Sequence, residues 1–245
     1  MRIHFAAEDC VAALAAADTL ARRQPREAES WRVRSLCLSD TGRYEEALQA
    51  IDTWAALEES SAEPLLLGAA ICRELQRWEQ GLALLEAARR REPESIDVEL
   101  EYAACLEALD RETEAEEAIR AVLAREPGSA PALNFLGYLW VERGVRLPEA
   151  EELIGLALAA DPENPAYLDS MGWLWYKRGD LDQAGQWLRQ AIEKGGHHPE
   201  IYAHLAQVDV ERGRIGEARA TLEAGLQWNP EDSSLKAFLL SLEGK

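Results

Sequence analysis

Proline returns along this chain on a beat of 34 residues, and that beat constrains the fold more than any other feature. Pro25, Pro93, Pro127, Pro162 and Pro230 fall on a lattice with nodes at 25, 59, 93, 127, 162, 196 and 230; every step is 34 except one of 35. Glu59 and Gly196 fill the other two nodes, and Pro64 and Pro199 follow them closely. A fixed period of this length describes stacked supersecondary units, each too small to bury its own apolar face. The length of 245 residues is therefore a count of repeats and not a count of ordinary domains.

Each unit carries two apolar stripes of helical spacing. Between 129 and 162, Leu133, Leu136 and Trp140 form one stripe, Gly144 interrupts, and Ala150, Ile154 and Ala157 form the next. The following unit repeats this with Leu168, Met171 and Trp175, a break at Gly179, then Ala184, Leu188 and Ala191. Gly42, Gly144, Gly179 and Gly213 are placed to end a helix in the left-handed conformation, and Asp180 to cap the helix after it. No segment alternates with period 2, so no strand is expected.

Small residues recur where two helices of a hairpin must cross. The eighth places are Ser35, Ala69, Ala103, Gly137, Gly172 and Ala206, and the twentieth are Ala47, Gly81, Ala115, Ala150, Ala184 and Ala218. Large residues occupy the twenty-fourth place: Ile51, Leu85, Ile119, Ile154, Leu188 and Leu222. Antiparallel helices approach closely only where small side chains meet, and bulky neighbours then fill the remaining volume.

With Leu136-Gly137-Tyr138, Glu149-Ala150, Ala157 and Asp161-Pro162, and again with Met171-Gly172-Trp173, Ala184 and Ala191, the chain resembles the tetratricopeptide repeat family over nearly its whole length. Trp54 departs from the family's small residue at the twenty-seventh place, and the first units lack glycine at the eighth. The resemblance implies an all-α fold, a right-handed α-solenoid of antiparallel helix pairs. Six repeats are expected at 28–61, 62–95, 96–129, 130–164, 165–198 and 199–232, with a capping helix in 233–245. Residues 9–25 read as the second helix of a further unit, preceded either by a stunted cap over Met1 to Ala7 or by more of a longer array. Residues 134–138, the insertion around 143–150 and residues 166–173 also resemble a bacterial subgroup that includes envelope lipoproteins acting as adaptors.

Composition and absences limit the function. Twenty-six Lys and Arg stand against 45 Asp and Glu, a formal charge of −19. Phosphate neutralisation needs clustered cations, so nucleic acid is not an expected partner, nor is an anionic membrane surface. No apolar run is long enough to span a bilayer. The first residues lack a signal-peptide pattern, so the chain as given reads as cytoplasmic, with a periplasmic or envelope site the alternative if an upstream signal is missing. Cys10, Cys37, Cys72 and Cys105 lie at similar places of successive units and read as small apolar side chains, not as a disulfide or metal framework.

No motif of nucleophile, metalloprotease or phosphate loop is present, so no catalytic residue, cofactor or metal is expected. His197 and His198 read as solvated linker residues; a metal site shared by His198 and His204 across a helix start is the alternative. Asp180 and Asp182 read as helix caps and not as paired catalytic carboxylates.

The first helix of each pair is expected to line a concave face. The resemblance assigns the second, fifth, ninth, twelfth and thirteenth places to that groove; those thirty positions hold ten acids and three bases. A protein or peptide segment of basic or neutral character is thus the expected partner. The Lys and Asn set with which some family members grip a C-terminal carboxylate is missing. The fourth and fifth units instead present Asn134, Tyr138, Asp169, Trp173 and Tyr176, aromatic anchors beside hydrogen-bonding groups. Asn134 is suited to a peptide backbone and Asp169 to an amide or a cation. The alternative places Tyr138 and Trp173 in the core. Trp78, Trp140, Trp175 and Trp187 read as packing residues. The function expected is that of a non-enzymatic adaptor; association through the ends or the convex face of a structural subunit, or a regulatory part of a larger chain, is the alternative.

Overall fold

The computed structural model describes residues 7–243, which form fourteen helices and no strand. The stunted cap expected over Met1 to Ala7 falls, but for Ala7, outside the described residues, as does the side chain of Cys10. The fold is an all-α helical repeat, divided into two compact units at Ile119 and Arg120. The first holds α1 (Ala7–Arg23), α2 (Ala28–Asp40), α3 (Tyr44–Leu57), α4 (Glu63–Glu74), α5 (Trp78–Arg91), α6 (Ile96–Ala108) and the start of α7 (Glu112–Arg125). The second holds the rest of α7, α8 (Ala130–Glu142), α9 (Leu147–Ala160), α10 (Pro165–Lys177), α11 (Leu181–Glu193), α12 (Pro199–Glu211), α13 (Ile215–Trp228) and α14 (Ser233–Ser241). None of these helices is long and apolar enough to cross a membrane.

One turn design closes every hairpin. The amide of Arg43 donates to the carbonyl of Leu38, and the same six-residue bond recurs from Arg77 to Cys72, Arg111 to Leu106, Val145 to Trp140, Asp180 to Trp175 and Arg214 to Asp209. The residue before each donor adopts positive φ. Glycine does so at 42, 144, 179 and 213, as the sequence suggested, but Gln76 (φ 55°) and Asp110 (φ 58°) take the same conformation against the Cβ preference. The inserted residue Arg146 is also left-handed (φ 51°), and its guanidinium lies 4.1 Å over the Trp140 ring.

Hairpin packing follows the small-residue register. A Cβ on Gly137 would lie 2.7 Å from Cγ1 of Ile154, and one on Gly172 would lie 2.7 Å from Cγ of Leu188. These are eighth and twenty-fourth places in contact. Ser35, also at an eighth place, is buried and returns its hydroxyl to the Trp31 carbonyl at 2.7 Å. Trp54, the family's departure, is fully buried and donates to Glu58 at 2.8 Å. Cys37, Cys72 and Cys105 are buried, in keeping with apolar packing.

Side chains one period apart stitch successive hairpins. Arg91 donates to the carbonyls of Glu58, Ser61 and Ala55 at 2.9–3.0 Å, so one guanidinium satisfies groups left over at the end of α3. Asp180 caps α11 by accepting from the Gln183 amide at 3.0 Å. Asp182, read as a second cap, instead faces Arg212 as an ion pair, because it lies inside the first turn with no orphan amide ahead of it. α14 covers α13 and α12 by burying Leu235 and Leu242 against Tyr202, Ala218 and Leu222.

Candidate functional site

In the second unit the successive first helices α8, α10 and α12 touch one another, so side chains four and seven residues apart on one of them meet the next. In the second unit this brings the sequence-derived residues together on three helices. Asn134 and Tyr138 come from α8; Asp169, Trp173 and Tyr176 come from α10; Glu200 and His204 of α12 complete the cluster.

At its centre His204 and Asp169 form a buried pair, Nδ1 to Oδ1 at 2.9 Å, with exposures of 7% and 5%. Burial pushes the Asp169 carboxyl above its ordinary value, and the bond from His204 only partly opposes this. Burial by itself lowers the imidazole, but the bond to Asp169 and its charge, followed by Glu200 and Glu142, outweigh burial and raise it. The pair therefore keeps its proton to higher pH than a free imidazole does. His198 stands exposed at the N-cap position of α12 without a side-chain capping bond, 3.9 Å from Glu200, and does not join His204. Among the described residues no group of three or more His, Cys, Asp or Glu is placed to hold a metal ion. His197 departs from the solvated reading: its ring stacks on Trp228 at 3.7 Å and Nδ1 lies 3.2 Å from the Tyr202 hydroxyl.

Trp173 stacks with two rings, His204 at 3.9 Å and Tyr176 at 4.3 Å between ring centroids. At 9% exposure it is a core residue of this unit. Tyr138 is half-buried; its hydroxyl donates to Glu200 at 2.6 Å. Burial and then the Glu200 charge drive its phenol far above the usual range. Asp169, expected to meet an incoming amide or cation, is instead spent on His204. Two buried polar atoms of the cluster, Oδ1 of Asn134 and Nε1 of Trp173, have no protein partner. What this face leaves half-exposed is Asn134, Tyr138, Tyr176 and Lys177.

An open concavity on a first-helix face lies in the first unit. A trough of about 530 Å³ runs across α2 and α4 and reaches Glu101 of α6. Nine of its thirteen lining residues stand at second, fifth, ninth, twelfth or thirteenth places, so it occupies the first-helix face that the register assigned to a ligand. The difference between the units follows from the ninth places. Leu36, Ala70 and Ala104 leave space in the first unit, whereas Tyr138 and Trp173 fill it in the second. The floor is apolar (Leu36, Leu66, Ala70), and the rim carries four acids and two arginines. Arg32 is held by both oxygens of Glu29 at 2.7 and 2.9 Å, and Arg73 by Glu101 at 2.7 Å.

Models of the tetratricopeptide repeat match residues 73–137 and 176–242 in one form, and 2–64, 113–165 and 146–199 in another. No curated protein matches the sequence. Among solved structures, a tetratricopeptide repeat protein from Parabacteroides merdae is similar over 96% of this chain and 93% of its own, with a TM-score of 0.81 at 15% identity. YrrB, a repeat protein described as having an unusual peptide-binding site, is similar over 73% of this chain and 92% of its own (TM-score 0.51, 18% identity). A chain of the APC/C hetero-tetramer Cut9–Hcn1 matches 94% of this one with a TM-score of 0.70 at 16% identity, and this chain spans 45% of it.

Proposed function

Because the chain belongs to the tetratricopeptide repeat family, whose members generally mediate contacts between proteins, we propose that it is a non-enzymatic adaptor that captures a protein or peptide segment on its first-helix face. The observation that carries this reading is the trough on α2 and α4: an apolar floor with a polar rim, at the register positions assigned to a ligand. The peptide-binding site in the description of YrrB is in keeping with it. Random-peptide display on the full chain, counter-screened on Ala70→Trp, tests the proposal. Selected peptides should lose at least tenfold in affinity for the variant, whose circular dichroism should match the wild type. Selection of no peptide, or only of peptides indifferent to the substitution, refutes capture in the trough.

A second reading has an observation of its own. Leu156 on the second helix α9 is 57% exposed, an apolar contact point for association through the outer face. Loss of self- or partner association in Leu156→Ser would favour it.

A further inference from the structure

Gly81 stands at a twentieth place, which is a fully buried alanine in the other five repeats: Ala47, Ala115, Ala150, Ala184 and Ala218. Nothing in the packing excludes alanine here. A Cβ on Gly81 would lie 3.4 Å from Cys72 Cβ, 3.7 Å from the Ala69 carbonyl and 3.8 Å from Cys105 Sγ, all ordinary contact distances. Alanine is also the better helix residue. Where that methyl is missing, a cavity of about 20 Å³ opens between α4, α5 and α6, lined by Gly81, Ala69, Trp78 and Cys105. It has room for one water-sized group. Arg73 and Glu101, joined at 2.7 Å, line both this cavity and the trough, so the two spaces meet at that ion pair.

The charges around this junction are already engaged. Glu101 holds Arg73, Glu29 holds Arg32, and Asp40 and Glu74 have partners of their own. A charged side chain entering here finds its counter-ions taken, and apart from the ion pair the side chains around the cavity are apolar. From this match between a charge-satisfied rim and an uncharged occupant, we propose that the cavity is an anchor subsite of the trough. The captured segment places an alanine methyl in the space that Gly81 vacates. The inference rests on the docking reading given above and adds the side chain that the site selects. Burial of one methyl should tighten binding about three- to fivefold. A leucine is too large for the cavity and gains nothing from it.

The test uses the full chain and synthetic dodecapeptide pools with a fixed central leucine for the trough floor. The flanking positions carry glycine, alanine, leucine, lysine or glutamate, one residue type to a pool. Fluorescence anisotropy compares the wild type with Gly81→Ala, whose urea midpoint should equal or exceed that of the wild type. The alanine pool should weaken about three- to fivefold in the variant, and the other four pools should bind both proteins alike. In the wild type, the isotope-labelled methyl of the tightest alanine peptide should show nuclear Overhauser contacts to the Trp78 indole, a readout that needs no substitution. An alanine pool indifferent to Gly81→Ala, equal weakening of another pool, or absence of contacts to Trp78 overturns the inference and leaves docking intact. Failure of every pool to bind the wild type overturns both.

Discussion

Replacement of Asp169 by asparagine should destabilise the second unit in acid far more than in base. The wild-type pair is buried at both ends and joined by one bond of 2.9 Å. A hydrogen bond to a charged group contributes about 2 kcal/mol and a neutral one about 1 kcal/mol, and asparagine Oδ1 retains the neutral bond. The expected loss is therefore about 1 kcal/mol where the imidazole is charged. The pH sign follows from the two shifts. His204 is raised above its unfolded value near 6.5, so its stabilisation is complete below about pH 6.5 and fades as pH climbs through the folded pKa. Asp169 is also raised, chiefly by burial, so its carboxylate becomes costlier as pH rises above 3.8. Both groups make the wild-type cluster weaker in base. In Asp169→Asn the imidazole has lost its anion, burial dominates, and the buried ring resists protonation, which reverses the trend. Urea midpoints at pH 5.5 and 8.5 measure the difference, with hydrogen exchange in α10 and α12 localising it to this unit. For a chain of this size, about 1 kcal/mol at pH 5.5 corresponds to a melting shift of about 2–4 °C. The same penalty at both pH values would show that the pair's charge plays no part.

Four further substitutions test the packing and the turns. Gly172→Ala drives a Cβ to 2.7 Å from Leu188 Cγ and 3.2 Å from its backbone nitrogen, so overpacking of about 1–3 kcal/mol should exceed the gain of under about 1 kcal/mol in helix propensity. Gly155→Ala, a helical position with nothing within 4 Å, should instead stabilise by about 0.5–1 kcal/mol, and urea midpoints of the two variants should move in opposite directions. Gln76→Gly relieves a left-handed residue and should raise the melting temperature through a gain of under about 1 kcal/mol; a lower melting temperature would show that the turn is not strained. Arg91→Met removes all three bonds to the end of α3 and should cost about 2 kcal/mol by urea denaturation, with no loss counting against the clamp.

Much of this fold is written in local residues. Glycine and proline have conformational signatures, and the eighth and twenty-fourth places reveal a hairpin crossing because volume must be shared across it. Gln76 and Asp110 show where such signals lapse: the hydrogen-bonded turn imposes positive φ even where no glycine announces it. Of the candidate residues, Tyr138, Asp169, Trp173 and Tyr176 meet around His204, since positions on first helices recur on one face, and Asn134 lies one turn before Tyr138 on α8. Their roles were less legible. Asp169 and His204 are one repeat plus one residue apart, fifth place to sixth, and only knowledge of which places touch between successive repeats pairs them. That pairing, with Trp173 stacked on His204, buries Asp169 and Trp173 and leaves Asn134, Tyr138 and Tyr176 half-exposed. The trough had a sequence signal in the small ninth-place residues Ala70 and Ala104, but an absence of bulk is a weaker mark than a run of aromatics. Asp182 illustrates the same point for charge, because its partner Arg212 belongs to the next repeat.

Site-specific photo-crosslinking measures the central claim directly. A benzophenone side chain at position 66, on the trough floor, and separately at position 156, on the outer face, should be compared in cells producing the full-length protein. Capture on the first-helix face predicts discrete protein adducts at position 66 that disappear when Ala70→Trp is added. Adducts confined to position 156, or adducts at position 66 indifferent to Ala70→Trp, would contradict it.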